Sequence, residues 1–174
     1  MKERLFAAVN FNNTTRSTLL SLRDELRSRS ERGNFSLPEN LHLTLAFLGE
    51  CDQKQAAAVK IAMDSISFER FEMQIERVGR FKRHSGDIWW AGLSKSEPLL
   101  RLQRELTESL IGAGFSLDKR EYKPHVTLGR EVVTDAAPWQ IEPFGEAVSS
   151  IELMKSERIS GKLTYTAIHA KRTG

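Results

Sequence analysis

The spacing of apolar residues along the chain predicts three helices. Leucines recur at intervals of three and four residues in 14–29 and in 97–111, which is the period of an amphipathic helix. The segment 52–66 is rich in alanine and opens on an aspartate, a residue type that caps helices. We therefore predict three helices over these segments, with Asn13 or Thr14 as the N-cap of the first.

Shorter apolar runs predict strands before, between and after the helices. Residues 71–75 alternate apolar with polar side chains, which is typical of a half-buried strand, whereas 5–9 is apolar throughout. Gly33 and Pro38 predict a loop. The predicted strands cover 5–9, 41–48, 71–75, 87–93, 125–129, 147–153 and 163–170. About seven strands and three helices in this mixed order predict an α+β fold.

The length of 174 residues predicts one domain, 1–174, built from two interleaved lobes. Cys51 is the only cysteine, which excludes an internal disulfide and fits a reducing compartment. The chain has no apolar run long enough for a membrane span and opens on a strand-like segment instead of a secretory leader. We therefore expect a cytoplasmic monomer. The net charge of +3 permits a phosphate-bearing partner without requiring one.

One short pattern occurs twice, 83 residues apart. Residues 42–45 read His-Leu-Thr-Leu and residues 125–128 read His-Val-Thr-Leu. Because side chains alternate along a strand, each histidine shares a face with its threonine, and the aliphatic residues take the other face. Two histidines each followed at this spacing by threonine arise by chance in roughly 2% of similar sequences, so the pair is a specific signal.

Two imidazoles and two hydroxyls in one cleft suit phosphodiester chemistry. One histidine can take a proton from an attacking oxygen while the other protonates the leaving oxygen, since both titrate near neutral pH. The hydroxyls can donate to the two non-bridging oxygens, where charge accumulates in the transition state. The simplest competing interpretation is two hydrogen-bonded structural histidines. The motifs alone do not distinguish the acid from the base.

The two motifs and their flanks resemble the 2H phosphoesterase superfamily. The runs 40–50 and 124–130, with the opening strand and the strand of Tyr165, are similar to the bacterial RNA 2′,3′-cyclic phosphodiesterases, also called 2′-5′ RNA ligases. This resemblance implies a bilobal, pseudo-twofold fold with two antiparallel sheets flanking a cleft and helices outside. It also implies metal-independent and cofactor-independent hydrolysis of a terminal 2′,3′-cyclic phosphate on RNA to a 2′-phosphomonoester, and a reverse ligation.

Roles for individual residues follow from the same resemblance. It implies that His42 is the proton donor and His125 the proton acceptor. It also implies that the residues five positions after each histidine, Phe47 and Arg130, stack on the terminal nucleobase. Strict alternation instead predicts that Phe47 lies in the core, unless a bulge or a strand end precedes it. Thr44 and Thr127 are expected to bind the phosphate oxygens.

Other residues are weaker candidates. The basic segment 77–84 is predicted as a loop that either contacts an RNA backbone or is simply solvated. One of Trp89 and Trp90 is expected in the core, and the other could border the cleft. Tyr122 and Lys123 precede the second motif and could reach phosphate. His169 is expected to be structural.

Three alternatives stay open at this point. A metal site could use His42, His125 and another histidine, although the neighbouring residues are not metal ligands. A non-catalytic RNA-binding module could keep the cleft. The same chemistry could act on a small nucleotide, such as a cyclic ADP-ribose phosphate or a 2′-5′ oligoadenylate, because a fold does not fix its substrate.

Overall fold

The computed structural model describes residues 1–118 and 120–173, so two residues of the range 1–174 lie outside it. The described residues form nine strands, three α-helices and one 3₁₀ turn at Pro38–Asn40. The strands are β1 (Glu3–Val9), β2 (Ser30–Phe35), β3 (Leu43–Cys51), β4 (Phe71–Phe81), β5 (Asp87–Leu93), β6 (His125–Thr134), β7 (Trp139–Val148), β8 (Ser150–Ile159) and β9 (Lys162–Arg172). The helices are α1 (Asn13–Ser28), α2 (Gln53–Ser65) and α3 (Glu97–Gly112).

The strands form two antiparallel sheets. The first sheet has the order β3-β1-β8-β9, and the second has the order β2-β6-β5-β4-β7. The first sheet therefore contains strands from the start and the end of the chain, whereas the second contains β2 and the strands from the middle of the chain. The two motif strands, β3 and β6, belong to different sheets and contact each other.

A hydrophobic core connects both sheets with the helices. Leu19 and Leu26 of α1 are fully buried and pack toward the second sheet, whereas α2 packs beside β3 and β9. Leu102 and Leu106 of α3 are also buried in this core. The leucine spacing therefore buries the expected helix faces.

The three predicted helices are confirmed, with small differences at their ends. Helix α1 begins one residue early because Asn12, not Asn13 or Thr14, is its N-cap and accepts a hydrogen bond from the Thr15 amide at 2.9 Å. At the start of α2, the Asp52 side chain accepts a hydrogen bond from the Gln55 amide, and the Gln55 side chain accepts one from the Asp52 amide. Two backbone amides at this end of the helix are therefore satisfied.

Two strands, β2 and β7, were missed, and the strand predicted at 147–153 has the wrong bounds. The predicted loop around Gly33 contains β2, an edge strand whose mostly exposed polar residues carry no apolar alternation. The chain leaves the second sheet at Val148 and enters the first at Ser150, so the predicted strand joins the end of β7 to the start of β8. A change of sheet leaves no break in the hydrophobic pattern. In residues 1–118 and 120–173, no helix is long and apolar enough to cross a membrane.

Candidate active site

The two motifs occupy equivalent places at the start of the motif strands. His42 directly precedes β3, and His125 is the first residue of β6. The aliphatic residues that alternate with the histidine and threonine are buried, at 0–2% exposure for Leu43, Leu45, Val126 and Leu128. The histidine and threonine of each motif are half-buried on the opposite face. The alternation predicted from the sequence is therefore confirmed up to this point.

A β-bulge then interrupts the alternation in both strands. In β3, Ala7 pairs with Ala46 while the next residue of β1 pairs with Thr44, so Leu45 is the extra residue. In β6, the pairing skips Leu128 in the same way, opposite the two tryptophans of β5. The bulge lies three residues after the histidine in each motif. Because an extra residue reverses the alternation, the residue two positions further on returns to the histidine face.

These bulges place Phe47 and Arg130 outside the core. Phe47 is 51% exposed, so strict alternation is wrong for it, and the bulge considered in the sequence analysis is present. The guanidinium of Arg4 lies over its ring, 4.8 Å from the centroid. Arg130 is exposed, and its positive charge acts on His42 and His125. Both residues therefore lie on the side of the motif histidines.

Each histidine is fixed by the backbone carbonyl two residues before it. The Nδ1 atom of His42 donates to the Asn40 carbonyl at 2.7 Å, and that of His125 donates to the Lys123 carbonyl at 2.6 Å. A carbonyl oxygen can only accept, so Nδ1 carries a proton in both rings and Nε2 is the atom that titrates. Nε2 of His42 is hydrogen-bonded to the Thr44 hydroxyl at 2.8 Å. For Nε2 of His125, the described part of the chain supplies no hydrogen bond.

Aromatic side chains hold both imidazole rings. His42 packs against Phe6 and Tyr165, with ring centroids 4.8 and 5.2 Å away. His125 packs against Phe81 and Trp90 at 5.1 and 6.2 Å. These contacts fix the plane of each ring, while the Nδ1 bond fixes its rotation. Phe6 and Phe81 were missed in the sequence, although the fully apolar run 5–9 indicates a strand covered on both faces.

Burial and charge lower the pKa of both histidines. Burial is the largest cause in each case, because it disfavours the charged imidazolium. The positive charge of Arg130 lowers both pKa values further, and the charge of His125 also lowers the pKa of His42. Together with the contact between β3 and β6, these charge effects place His42, His125 and Arg130 near one another, although they come from distant parts of the chain.

An open groove of about 640 Å³ runs from the motifs toward α3. Its lining includes Thr44, Phe47 and His125, together with residues of α3 and of the segment before β6. A second cavity of about 830 Å³ adjoins it and is lined by Trp90. The space beside the second histidine is large enough for a nucleotide. Trp90 is the tryptophan that borders this space, whereas Trp89 is fully buried, as expected for the pair.

The structure changes the interpretation of the other candidates. Arg77 and Arg80 lie inside β4, so the predicted basic loop 77–84 was wrong in extent; both arginines also have acidic partners. The Tyr122 hydroxyl donates to the Thr44 carbonyl at 2.7 Å, so it supports the backbone. Lys123 lines the groove. His169 is hydrogen-bonded to Asp64 at 2.8 Å, consistent with a structural role.

Comparisons with known proteins show which family the sequence matches. Residues 16–160 match the 2′-5′ RNA ligase superfamily. A Methanothermobacter thermautotrophicus protein named RNA 2′,3′-cyclic phosphodiesterase is 32% identical, and the match covers 99% of this chain and 100% of that one. A protein of the same name from Archaeoglobus fulgidus is 33% identical over 82% of this chain and 84% of its own.

The fold has a similar counterpart among solved structures. The crystal structure of Escherichia coli LigT complexed with 3′-AMP superposes with a TM-score of 0.87 at 24% identity, and the match covers 99% of both chains. The α+β fold predicted from the order of elements, and the two antiparallel sheets implied by the resemblance, are thereby confirmed. Since the superfamily match spans most of the chain and both motif strands, this protein belongs to the 2′-5′ RNA ligase superfamily.

Proposed function

We propose that the protein hydrolyses the terminal 2′,3′-cyclic phosphate of RNA to a 2′-phosphomonoester. The observation that supports this most directly is the matched pair of histidines, each with Nδ1 held by a carbonyl and Nε2 available for proton transfer. Two relatives whose matches cover 99% and 82% of this chain carry the name of this activity. Both motifs lie in one chain, so a monomer contains every residue that the reaction requires.

In this mechanism, His125 is the general base and His42 the general acid. Nε2 of His125 takes a proton from water as the water oxygen attacks phosphorus. The bond between phosphorus and the 3′ oxygen breaks, and Nε2–H of His42 gives its proton to that oxygen. The products are a 2′-phosphate and a free 3′-hydroxyl. If the 5′-hydroxyl of a second RNA attacks the cyclic phosphate in place of water, His125 takes the hydroxyl proton, the bond to the 3′ oxygen breaks as before, and a 2′-5′ linkage forms.

The two threonines are proposed to bind the non-bridging phosphate oxygens. When His42 is neutral, its Nε2 accepts the hydroxyl proton of Thr44 across their 2.8 Å contact. When His42 is protonated, Nε2–H donates to the same oxygen, which turns the hydroxyl hydrogen toward other acceptors. The acid form of His42 is therefore also the form in which Thr44 can donate to phosphate. Thr127 is expected to donate from the opposite motif.

The function is tested with an RNA that ends in a 2′,3′-cyclic phosphate. We expect hydrolysis without added metal and in excess EDTA, with the phosphate of the product on the 2′ oxygen. Among residues 1–118 and 120–173, no three His, Cys, Asp or Glu side chains form a cluster that could hold a metal ion. A 3′-phosphate product, or loss of turnover in EDTA, would contradict the proposal. A second arm with a 5′-hydroxyl oligonucleotide tests ligation.

Phe47 and Arg130 are proposed to stack on the terminal base, because an aromatic ring and a guanidinium plane bind bases with little sequence preference. We expect Phe47→Ala and Arg130→Ala to raise KM by roughly tenfold each, with a smaller change in kcat, since stacking contributes about 1–3 kcal/mol per base. Steady-state kinetics on short RNAs measures both constants. Ile61→Ala is the control, because Ile61 is an exposed apolar residue of α2 outside the groove. Unchanged KM values would contradict the stacking role.

The lowered pKa values predict a pH profile displaced toward acid. His42 must be protonated and His125 neutral, so a plot of kcat/KM against pH should be bell-shaped. Its two limbs report the apparent pKa values of the two interacting histidines. Both pKa values lie below the ordinary 6.5, so we expect the maximum below pH 6.5. Arg130→Gln removes a charge that lowers both values and should move both limbs to higher pH. Lys54→Gln, which removes a charge from the surface of α2, is the control and should leave both limbs unchanged. A rate that rises steadily to about pH 10 would contradict the assigned roles.

A further inference from the structure

At each bulge, two backbone carbonyls accept hydrogen bonds from residues outside the pair of strands that forms the bulge. An extra residue in a bulge has no partner in the ladder, and a carbonyl near the core needs a hydrogen bond from elsewhere. At the first bulge, the Tyr122 hydroxyl donates to the Thr44 carbonyl at 2.7 Å, and Gln103 Nε2 donates to the Leu45 carbonyl at 3.2 Å. Burial raises the pKa of the Tyr122 hydroxyl, so this group stays protonated and can donate.

The second bulge is satisfied in an equivalent way by a single residue. The Ser36 hydroxyl donates to the Thr127 carbonyl at 2.8 Å, and the Ser36 amide donates to the Leu128 carbonyl at 2.9 Å. Thr44 and Thr127 are equivalent positions of the two motifs, and so are Leu45 and Leu128. The same two carbonyls of each motif are therefore held by groups from outside the ladder that forms the bulge.

Each bulge is held by a residue that lies in the sequence just before the other motif. Tyr122 lies three residues before His125, and Ser36 lies six residues before His42. The segment that leads into each motif thus holds the bulge of the other motif, across sequence separations of 78 and 91 residues. We propose that Tyr122 and Ser36 are positioning residues that fix the two motif strands relative to each other and maintain the bulges.

This inference rests on the proposed function and extends it to two hydroxyl groups that act through the backbone of the motif strands. The bulges are what return Phe47 and Arg130 to the histidine face, so losing a bulge contact should disturb stacking as well as phosphate binding. A misplacement of about 1 Å in a catalytic site can reduce the rate up to a hundredfold. The effect should therefore appear in catalysis on base-bearing substrates even when the protein stays folded.

The test compares Tyr122→Phe and Ser36→Ala with the wild-type protein on two short RNAs that end in a 2′,3′-cyclic phosphate. The last nucleotide of one RNA carries its base, and that of the other is abasic. We expect each variant to lower kcat/KM on the base-bearing RNA by about tenfold, and to reduce the ratio of the base-bearing to the abasic value at least threefold. Partial unfolding alone would lower both values by one factor and leave that ratio unchanged.

Ser65→Ala is the matched control, because it removes a hydroxyl-to-carbonyl bond of similar length, Ser65 to Ala62 at 2.7 Å, within α2. It should stay within twofold of the wild type. Crystal structures of the two variants give a readout that does not depend on activity: we expect Phe47 to leave its place in Tyr122→Phe, and Arg130 to shift in Ser36→Ala. Folded variants with an unchanged ratio and unchanged positions overturn the inference. An inactive wild-type protein contradicts the proposed function instead, and the variant structures still decide this inference.

Discussion

Replacing either His42 or His125 by alanine is expected to lower kcat at least a hundredfold. General acid and general base catalysis typically contribute 10²- to 10⁴-fold each, and no other group in the described structure has an equivalent position. Nε2 of each ring is the atom that would transfer the proton, because Nδ1 is already committed to a carbonyl. Single-turnover assays on a cyclic-phosphate RNA measure the chemical step directly.

The double variant distinguishes concerted action from independent contributions. If the two histidines work in one transition state, removing both should cost little more than removing one, because the remaining partner has lost its function. Affinity for the substrate should change much less than kcat in all three variants. A variant that loses binding and turnover in proportion would favour the non-catalytic RNA-binding module.

His169→Ala is the matched control for these variants. His169 is bonded to Asp64 and belongs to neither motif, so we expect its removal to leave kcat unchanged. Folding must be checked in parallel by urea denaturation. Burial lowers the pKa of His42 and His125, so the unfolded chain binds protons more readily than the folded one as pH falls below 6.5. Removing these imidazoles should therefore make the free energy of unfolding less dependent on pH below 6.5.

Thr44→Val and Thr127→Val are expected to lower kcat by roughly a hundredfold each. Each change removes one hydroxyl donor to a phosphate oxygen and keeps nearly the same shape, and the loss of one oxyanion donor typically costs 10²- to 10³-fold. Thr44→Ser and Thr127→Ser retain the hydroxyl and should keep most of the activity. Equal losses in the serine and valine variants would show that packing, not hydrogen bonding, is responsible.

The two valine variants should differ in their pH dependence. Thr44 is hydrogen-bonded to Nε2 of His42, so its loss should move the limb of the profile that reports His42. Among the described contacts, Thr127 has no such bond to His125, and Thr127→Val should lower the rate without moving either limb. Identical displacement in both variants would contradict the coupling between Thr44 and the protonation of His42.

Much of the candidate site could be predicted from local sequence. The histidine–threonine spacing places both groups on one face of a strand because a strand has a period of two, and the buried leucines confirm that assignment at both motifs. The buried leucine stripes of α1 and α3 likewise follow from helical periodicity. Trp89 and Trp90 point to opposite faces for the same reason. These are consequences of neighbouring residues on a regular backbone.

The exposed position of Phe47 could not be predicted from local sequence. Alternation assigns it to the core, yet it is half-exposed because Leu45 is an extra residue in the pairing with β1. Nothing in residues 42–47 by itself requires that bulge. Its carbonyls are satisfied by Tyr122 and Gln103, which are distant in sequence. Because the residues that support this bulge lie far away in the sequence, the residues around Leu45 carry no pattern that predicts it.

By itself, the sequence determined the helices, most of the strands, and the pairing of each histidine with a threonine, because these depend on the periodicity of a few adjacent residues. Only the tertiary structure decided the strands β2 and β7, the change of sheet between Val148 and Ser150, and the convergence of His42, His125 and Arg130. The physical reason is that strand pairing, bulges and the effect of one charge on another depend on contacts between segments that lie tens of residues apart. The pattern of side chains within one segment does not specify those contacts.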